Sequence, residues 1–271
     1  MPNFDRSPLG KPTSYPAHYD PALLFSFERA AQRSTLPLDA GLPFSGVDIW
    51  TAHEITWLDR RGKPQIAVGE FRVGADSPAI IESKSLKLYL GSFAQERVGV
   101  AAEMARIIEA DLVRACSAPV SVALVSAPGA LRVADLPGAS IDEIDVACDI
   151  FRPDPALLSR GTAAVDETLR SALFRSTCPV TGQPDYADVL VRYRGPRIDR
   201  GALLKYLVSY REHAAFHEAC VERIFVDIAL RCRPDRLTVY ARFVRRGGID
   251  INPFRSNFEP APARNERTPR Q

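Results

Sequence analysis

The sequence predicts an α+β fold built from two units of the order β-β-α-α-β-β. One observation is that the apolar pattern switches repeatedly between strand-like alternation and helical spacing. The other is an internal repeat, in which the thirteen residues from Ile81 match the thirteen from Ile198 at a constant offset, with five identities. Two further positions keep a carboxylate and an aromatic ring. Because the repeat falls at the start of each helical block, we interpret it as a duplicated unit.

Six segments alternate apolar and polar residues and are predicted to be strands. In chain order they are residues 47–51, 65–71, 120–125, 144–150, 188–193 and 237–244. Two blocks with helical spacing, residues 85–116 and 200–232, interrupt them, and each block is long enough for a pair of helices. This order gives each half of the chain strands on both sides of a helix pair.

Composition predicts how the chain is divided. Residues 1–45 are rich in Pro, Ser and Gly and are expected to form an irregular arm over the surface. The first repeat unit is predicted over residues 46–155 and the second over residues 156–258. The last stretch, residues 259–271, is expected to be disordered.

Charge and cysteine content favour a cytoplasmic protein that binds a small ligand. The 271 residues include 35 basic and 33 acidic side chains, a net charge of +2, so no overall field indicates nucleic acid or an anionic membrane as a partner. The five cysteines form no C-x-x-C pair, which is typical of a reducing compartment rather than a disulfide framework or a zinc knuckle. The sequence also shows no signal peptide and no transmembrane segment.

Cys178 is the candidate nucleophile. It stands in the string Thr-Cys-Pro-Val-Thr-Gly-Gln-Pro-Asp, where two prolines and a glycine predict a turn rather than a core position. Only a few per cent of an ordinary thiol is thiolate at neutral pH, so a nucleophilic cysteine needs a proton acceptor. Asp185, seven positions later, is the candidate for accepting that proton and passing it on.

The two repeats differ in chemistry. Lys84 and Lys87 of the first repeat have uncharged counterparts in the second, whereas Arg61 stands where the second repeat has Cys178. Each half is therefore expected to supply one part of a site. Of the two lysines, Lys87 is the one expected to be only a surface charge.

Several strings together resemble a known enzyme family. They occur in one order and cover residues 9–257: Ile81–Tyr89, Cys178–Asp185, Ile198–Arg200, Phe216–Glu218 and Arg245–Pro253. The chain resembles the long form of the nitrile reductases that use NADPH to convert 7-cyano-7-deazaguanine (preQ0) to 7-aminomethyl-7-deazaguanine (preQ1) in queuosine biosynthesis. The resemblance implies tandem tunnelling folds (T-folds), with antiparallel sheets backed by helix pairs, a site formed between the halves, and a homodimer.

The resemblance also implies a mechanism. The Cys178 thiolate would add to the nitrile carbon and form a covalent thioimide, and Asp185 would relay the thiol proton to the nitrile nitrogen. Two successive NADPH molecules would then supply hydrides. Covalent catalysis suits this reaction because a nitrile is a poor hydride acceptor, whereas a protonated thioimide is an electrophile.

The residues that match the family's site positions fall into two sets. The expected substrate-binding residues are Ile81, Glu82, Ser83, Phe216, His217 and Glu218, and the expected cofactor-binding residues are Ser83, Lys84, Arg246 and Gly247. A carboxylate can accept hydrogen bonds from both the ring N–H and the exocyclic amine of a guanine-like base. Lys and Arg beside a Gly-rich turn suit the phosphates of NADPH. No metal is expected.

Two other functions stay open from the residues. A zinc-dependent purine or pterin hydrolase of the GTP cyclohydrolase type would need clustered ligands, and only His213 and His217, four apart on a predicted helix, suggest them. A non-catalytic deazapurine-binding protein would need only the Glu anchors. No G-x-G-x-x-G motif or P-loop is present, so a Rossmann domain is not predicted and NADPH binding depends on the resemblance.

Overall fold

The computed structural model describes residues 15–16, 18–38, 41–125 and 132–271. The chain forms two compact units, and both are discontinuous in sequence. The first contains residues up to Thr35, then Asp48–Arg132 and Arg245–Ile251; the second contains Leu36–Val47, Val133–Val244 and Asn252–Gln271. These units differ from the predicted linear division, since residues 133–155 belong to the second unit and residues 245–251 to the first.

The first unit combines a long antiparallel hairpin with a helix pair. Its elements are β1 (Ser26–Glu28), α1 (Arg29–Arg33), β2 (Ser45–Leu58), β3 (Pro64–Gly74), β4 (Ala79–Ile81), α2 (Ser83–Gly91), α3 (Ala101–Cys116) and β5 (Val120–Val125). The strands β5, β3 and β2 are neighbours in that order, and β1 pairs with β4 separately. The strand β2 begins with three residues of the second unit.

The second unit repeats this plan. Its elements are β6 (Ala139–Ser140), β7 (Arg160–Thr177), β8 (Pro184–Ile198), α4 (Arg200–Val208), α5 (His217–Cys232), β9 (Arg236–Phe243) and β10 (Ile249–Ser256). The strands follow the order β10, β9, β8, β7, β6, and all adjacent pairs are antiparallel except β6 with β7. The first three residues of β10 belong to the first unit. Both units therefore mix strands and helices, so the predicted α+β class is confirmed.

Each helix pair contains a hydrogen bond of the same kind between its two helices. Tyr89 of α2 donates to Asp111 of α3 at 2.5 Å, and Tyr206 of α4 donates to Asp227 of α5 at 2.6 Å. Each second helix ends on a buried cysteine and is followed by a left-handed residue, with φ of 53° in the first unit and 50° in the second. Since residues other than Gly adopt this conformation rarely, its recurrence at equivalent positions supports the duplication.

The core of the first unit lies between β2, β3 and the helix pair. Trp57 of β2 and Phe71 of β3 are almost fully buried, and so are Met104, Ile108 and Leu112 of α3. The three α3 residues follow the i, i+4, i+8 spacing that places side chains on one face of a helix. The same pattern that predicted the helical block therefore also selects the face that packs on the sheet.

One predicted strand is wrong. Residues 144–150 form no strand, although half-buried and exposed residues alternate along most of the segment. The apolar side chains of Ile144 and Val146 instead lie against the start of α4, where a Cβ added at Gly201 would be 3.1 Å from Val146 Cγ1. The alternation reflects an extended segment that covers a helix end rather than one that pairs in a sheet. Conversely, β7 was not predicted, because its first half is exposed on both faces.

Both predicted irregular ends contain ordered contacts. In the part of residues 1–45 that the structure describes, β1 pairs with β4, and Arg29 donates to Asp48 at 2.6 Å with both side chains buried. At the other end, disorder of residues 259–271 was the wrong expectation, because the buried Gln271 side chain donates to Phe243 O at 2.8 Å and to Asn252 Oδ1 at 2.7 Å. Low hydrophobicity predicted disorder, but polar side chains pack here through hydrogen bonds.

Among the described residues, none of the helices has the length and apolar character that a membrane span requires.

Candidate active site

Cys178 lies in the tight turn that joins β7 to β8. Its N–H donates to Gln183 O at 2.8 Å, and Gly182 N donates back to Cys178 O at 3.0 Å. Gly182 has a φ of +67°, a conformation that glycine adopts without steric cost. The predicted turn is therefore present, and it holds Cys178 at the end of a hairpin with 3% of its surface exposed.

The hairpin register places Asp185 on the same face as Cys178. Ser176 of β7 pairs with Asp185 of β8. Two residues after Ser176, the N–H of Cys178 donates to Gln183 O across the turn. Paired residues of an antiparallel ladder point to one face, so Cys178 and Asp185 are diagonal neighbours across the hairpin. Asp185 is itself buried, with 7% exposed.

The start of α5 lies beside Asp185. His217, the first residue of the helix, places Nε2 3.5 Å from Asp185 Oδ2, and its ring centroid is 3.9 Å from that of Phe243. Glu218 is buried in the first helical turn, where the partial positive charge of the helix end favours a carboxylate. Phe216 precedes the helix and is half-buried. The second unit thus brings together all the residues predicted for it.

A second thiol near this cluster is not a candidate nucleophile. Cys220 is fully buried in α5, and burial raises its pKa to about 12, with smaller contributions from the charges of Asp185 and Glu218. At neutral pH this thiol stays protonated, and only the thiolate is a strong nucleophile. Its environment is that of a structural cysteine.

The predicted pairing of His213 with His217 on one helix is wrong. α5 begins at His217, whereas His213 lies before it and accepts a hydrogen bond from Thr177 N through its carbonyl at 2.9 Å. Burial, with a smaller contribution from the charge of Arg223, lowers the pKa of His213 to about 4. Within the ranges that the structure describes, no group of three or more His, Cys, Asp and Glu residues could hold a metal ion.

In the first unit, Glu82 caps α2. Its Oε1 accepts from Lys84 N at 2.7 Å and its Oε2 from Ser85 N at 2.8 Å, although the residue is only 1% exposed. Burial raises the pKa of this carboxyl, and the two backbone hydrogen bonds oppose that shift. Each carboxylate oxygen has a second lone pair, so the cap leaves acceptor capacity for a ligand.

The other predicted residues of this unit surround Glu82. Ile81 is the buried last residue of β4, and Ser83 and Lys84 are half-buried at the start of α2. The charges of Lys84 and Arg246 both favour the ionised form of Glu82, so the Arg246 turn lies near the β4–α2 junction. The structure therefore brings together two motifs that are far apart in the sequence.

The turn from Arg246 to Ile249 contacts a lysine that we expected to be only a surface charge. Arg246 N donates to Ile249 O at 2.8 Å, and the two central residues, Gly247 and Gly248, have φ of +62° and +83°. Two left-handed residues are what a type I′ hairpin turn requires. A Cβ at Gly247 would lie 2.9 Å from Lys87 Nζ, so Lys87 belongs to this basic cluster. The i, i+3 spacing of Lys84 and Lys87 was the available sequence signal.

A buried pair that the sequence did not predict supports the same turn. His53 Nε2 lies 2.7 Å from Asp250 Oδ2, and His53 N donates to Gly248 O at 2.8 Å. Both side chains are buried. Together these bonds tie β2 to the glycine turn within the first unit, so His53 and Asp250 position the turn.

Comparison with known proteins matches both parts of the chain to one family. The family model described as nitrile reductase, 7-cyano-7-deazaguanine-reductase N-term matches residues 15–124, and the model described as QueF-like protein matches residues 184–262. A protein of Bordetella pertussis named NADPH-dependent 7-cyano-7-deazaguanine reductase is 53% identical over 272 residues, covering 99% of this chain and 100% of the relative. A relative of the same name from Burkholderia vietnamiensis is 52% identical over 273 residues, with the same coverage. This chain belongs to the nitrile reductase family.

Membership of the nitrile reductase family confirms the resemblance recognised in the motifs. The residues expected to contact ligands divide between the two units. The second unit contains Cys178, Asp185, Phe216, His217 and Glu218, and the first contains Ile81, Glu82, Ser83, Lys84, Arg246 and Gly247. Within each unit the structure places the expected residues close to one another, so the individual roles can be proposed from local geometry.

Proposed function

We propose that this chain is an NADPH-dependent reductase that converts the nitrile of preQ0 to the aminomethyl group of preQ1 in queuosine biosynthesis. The observation that carries the proposal is the full-length identity of 53% to a relative of that name. The thiol and carboxylate at the β7–β8 turn supply the chemistry that a nitrile requires. Reduction of a nitrile to an aminomethyl group takes four electrons, which two NADPH molecules would supply.

In the first step, the Cys178 sulfur forms a bond to the nitrile carbon while one π bond of the nitrile breaks. The thiol proton passes through Asp185 to the nitrile nitrogen, so the product is a neutral thioimide. The shared face of the β7–β8 hairpin supports this relay, and His217 at 3.5 Å from Asp185 is placed to hold the carboxylate in position. Conversion of the thioimide to the aminomethyl group takes two hydrides and two protons, and the C–S bond breaks so that the Cys178 thiol is returned. NADPH, which Lys84 and Arg246 would hold, would supply the hydrides.

The base of the substrate is recognised by buried carboxylates. Glu218 lies next to His217 and is 3% exposed, so hydrogen bonds to a guanine-like edge form there without competition from water. Phe216 and His217 offer flat rings for stacking. We assign Ile81, Glu82 and Ser83 to substrate contacts in the first unit because Glu82 retains free lone pairs after capping α2.

The basic cluster of the first unit fits the cofactor. Lys84, Lys87 and Arg246 provide positive charge for phosphates, and the turn at Gly247 exposes backbone that lacks a Cβ. Ser83, at the start of α2, adds a hydroxyl next to Lys84. The donor set is therefore the type that binds a nucleotide phosphate, and we assign Ser83, Lys84, Arg246 and Gly247 to NADPH.

The finer architecture belongs to the same proposal. Each half is assigned a T-fold, for which the order β7-β8-α4-α5-β9-β10 and the shared Tyr–Asp bond of the helix pairs are the support. We further propose a cytoplasmic homodimer that binds its small substrate without contacting nucleic acid or membrane directly. Sedimentation velocity of the purified chain would test the dimer.

The deciding experiment follows NADPH oxidation at 340 nm with preQ0 and identifies the product by mass spectrometry. We expect two NADPH consumed per preQ1 formed. Two results would contradict the proposal: a chelator that abolishes activity with zinc restoring it, as expected for a hydrolase, or tight preQ0 binding without any turnover, as expected for a binding protein.

A further inference from the structure

A cavity of about 460 Å³ lies in the second unit, on the face of the sheet opposite the helices. Thr238, Tyr240 and Arg242 of β9 line it. Residues that alternate along a strand point to opposite faces, and Phe243 of the same strand contacts His217 of α5. The cavity is therefore separated from the Cys178 cluster by the thickness of the sheet.

Arg242, at the wall of this cavity, is a buried cation with unusual partners. It is 1% exposed, and its guanidinium donates only to neutral groups: Nε to Gln271 Oε1, and Nη1 to Tyr240 Oη and Asn265 Oδ1, each at 2.7 Å. The remaining nitrogen, Nη2, is buried and has no hydrogen-bond partner within the described part of the chain. A buried charge without an opposite charge loses its hydration and gains no ion pair in return, which is unfavourable.

The other buried arginines show how this protein normally neutralises such a charge. Arg255 is fully buried and donates from Nε and Nη2 to Glu222, and Arg29 donates to Asp48 at 2.6 Å. These two and Arg242 are the arginines that are buried among the described residues. Only Arg242 has no ion pair there, which indicates that its counter-charge comes from outside the chain.

The acidic side chains at the cavity are already engaged or exposed. Glu259 pairs with Arg192 at 2.9 Å and accepts from Thr238 at 2.6 Å. Asp135 lies 3.9 Å from Arg170, and Glu266 is exposed. The nearby carboxylates therefore do not compensate Arg242.

We propose that this cavity binds an organic anion, a carboxylate or phosphate attached to an apolar or aromatic body. One anion oxygen accepts from Arg242 Nη2, and the body packs on the cluster of Leu190, Tyr240 and Phe254. Because Nη2 is covered, entry requires movement of the C-terminal segment, whose Asn265 and Gln271 hydrogen-bond to the same guanidinium. The site is independent of the proposed reductase activity, since its residues lie on the other face of the sheet.

The test uses phenyl phosphate, with benzyl alcohol as a neutral analogue of similar size, in calorimetric titrations of the full chain without preQ0 or NADPH. We expect phenyl phosphate to bind at one site and at least about tenfold more tightly than benzyl alcohol, because a hydrogen bond between charged groups adds roughly that factor. Hydrogen exchange of residues 259–271 should change on binding. Equal affinity for the two probes would overturn the proposal.

Three variants locate the site. Arg242→Met should lose at least about tenfold in affinity for phenyl phosphate, whereas Arg236→Met, on the same strand but outside the cavity, should leave it unchanged. Arg242→Lys keeps the charge and should retain part of the affinity, which decides the outcome if Arg242→Met does not fold. Unchanged affinity in a folded Arg242→Met would refute the assignment. Displacement of the probe by NADPH would also refute it, because the site would then belong to the reductase reaction.

Discussion

The first helix of each pair begins with a capping carboxylate, but only one of these carboxylates is buried. Glu82 is 1% exposed and accepts from two backbone N–H groups, whereas Asp199 is exposed and accepts from Ala202 N alone at 2.8 Å. The two residues occupy the same position of the internal repeat. An exposed Asp is sufficient to cap a helix, so capping does not explain why the first unit buries a charge. The substrate contact proposed for Glu82 would account for it.

The same contrast extends to the surroundings. Glu82 has Lys84 and Arg246 nearby, and the first unit has no thiol at the position of Cys178, where Arg61 stands. The second unit has the thiol, but Gly201 and Leu204 stand at the positions equivalent to Lys84 and Lys87. Two copies of one fold have therefore kept the same helix cap and core bond while acquiring different chemistry.

The largest effect should come from removing the Cys178 thiol, which has no counterpart at the equivalent position of the first unit. Cys178→Ala should reduce turnover by at least about a thousandfold, because the covalent step has no replacement nucleophile. It should also abolish the adduct that intact-protein mass spectrometry detects with preQ0 alone. Cys148→Ala, a half-buried thiol of the same unit, is the control and should keep both. An adduct that persists in Cys178→Ala would exclude this cysteine.

Asp185→Asn should come next. The amide cannot accept the thiol proton, so adduct formation and turnover should slow by about a hundredfold while preQ0 binding is retained. Stopped-flow kinetics of adduct formation would measure the step directly. Asp188→Asn, three residues along β8 and paired with Arg270, controls for loss of a carboxylate on that strand. Equal rates in wild type and Asp185→Asn would remove Asp185 from the relay.

The basic cluster should affect the cofactor and not the adduct. Lys84→Ala and Lys87→Ala should each raise the KM for NADPH by about tenfold, the usual value of one charged hydrogen bond to phosphate. The yield of preQ0 adduct should not change. Lys205→Ala on α4 is the matched control from the second unit. If Lys87→Ala behaves like Lys205→Ala, Lys87 is only a surface charge.

Variants of the two capping residues, Glu82 and Asp199, can be compared by their free energy of unfolding. At acidic pH, Glu82→Gln should change the free energy of unfolding by no more than about 1 kcal/mol, because a protonated carboxyl and an amide each have one carbonyl oxygen as the good acceptor. Asp199→Ala should cost about 1 kcal/mol. Because burial raises the pKa of Glu82, its folded state binds the proton more tightly than the unfolded chain. The stability gained from this tighter proton binding is complete below the unfolded pKa of about 4.3, and it is lost as pH rises through the folded pKa.

Wild type should therefore lose stability relative to Glu82→Gln as pH rises, and urea unfolding at several pH values from mildly acidic to neutral would measure the difference. If wild type instead gains stability relative to Glu82→Gln as pH rises, the hydrogen bonds of the cap, and not burial, dominate the pKa of Glu82.

The smallest effect should distinguish two left-handed glycines. Gly247→Ala and Gly41→Ala both force Ala into a positive φ, +62° and +70°, which should cost about 1 kcal/mol of stability in each case. Gly41 has nothing within 4 Å of an added Cβ, whereas at Gly247 the Cβ meets Lys87 Nζ at 2.9 Å. Only Gly247→Ala should therefore also raise the KM for NADPH. Thermal unfolding and steady-state kinetics on both variants would separate strain from contact.

The sequence by itself determined the helix pairs, the repeat and the turn around Cys178. These features depend on interactions between residues close in the chain, such as the spacing of Met104, Ile108 and Leu112, or the prolines and glycine after Cys178. Local propensity and periodicity report such interactions directly. The motifs also sufficed to recognise the family, which the full-length relatives then confirmed.

Only the tertiary structure decided which distant residues meet. The contact of Lys87 with Gly247, the buried pair of His53 with Asp250, and the hydrogen bond of Arg242 to Gln271 all join segments far apart in sequence. Periodicity indicates that a residue is buried or exposed but not what it faces. Residues 144–150 show the limit, because their alternation is the same whether an extended segment pairs in a sheet or covers a helix end. Partners depend on long-range packing, which no local pattern encodes.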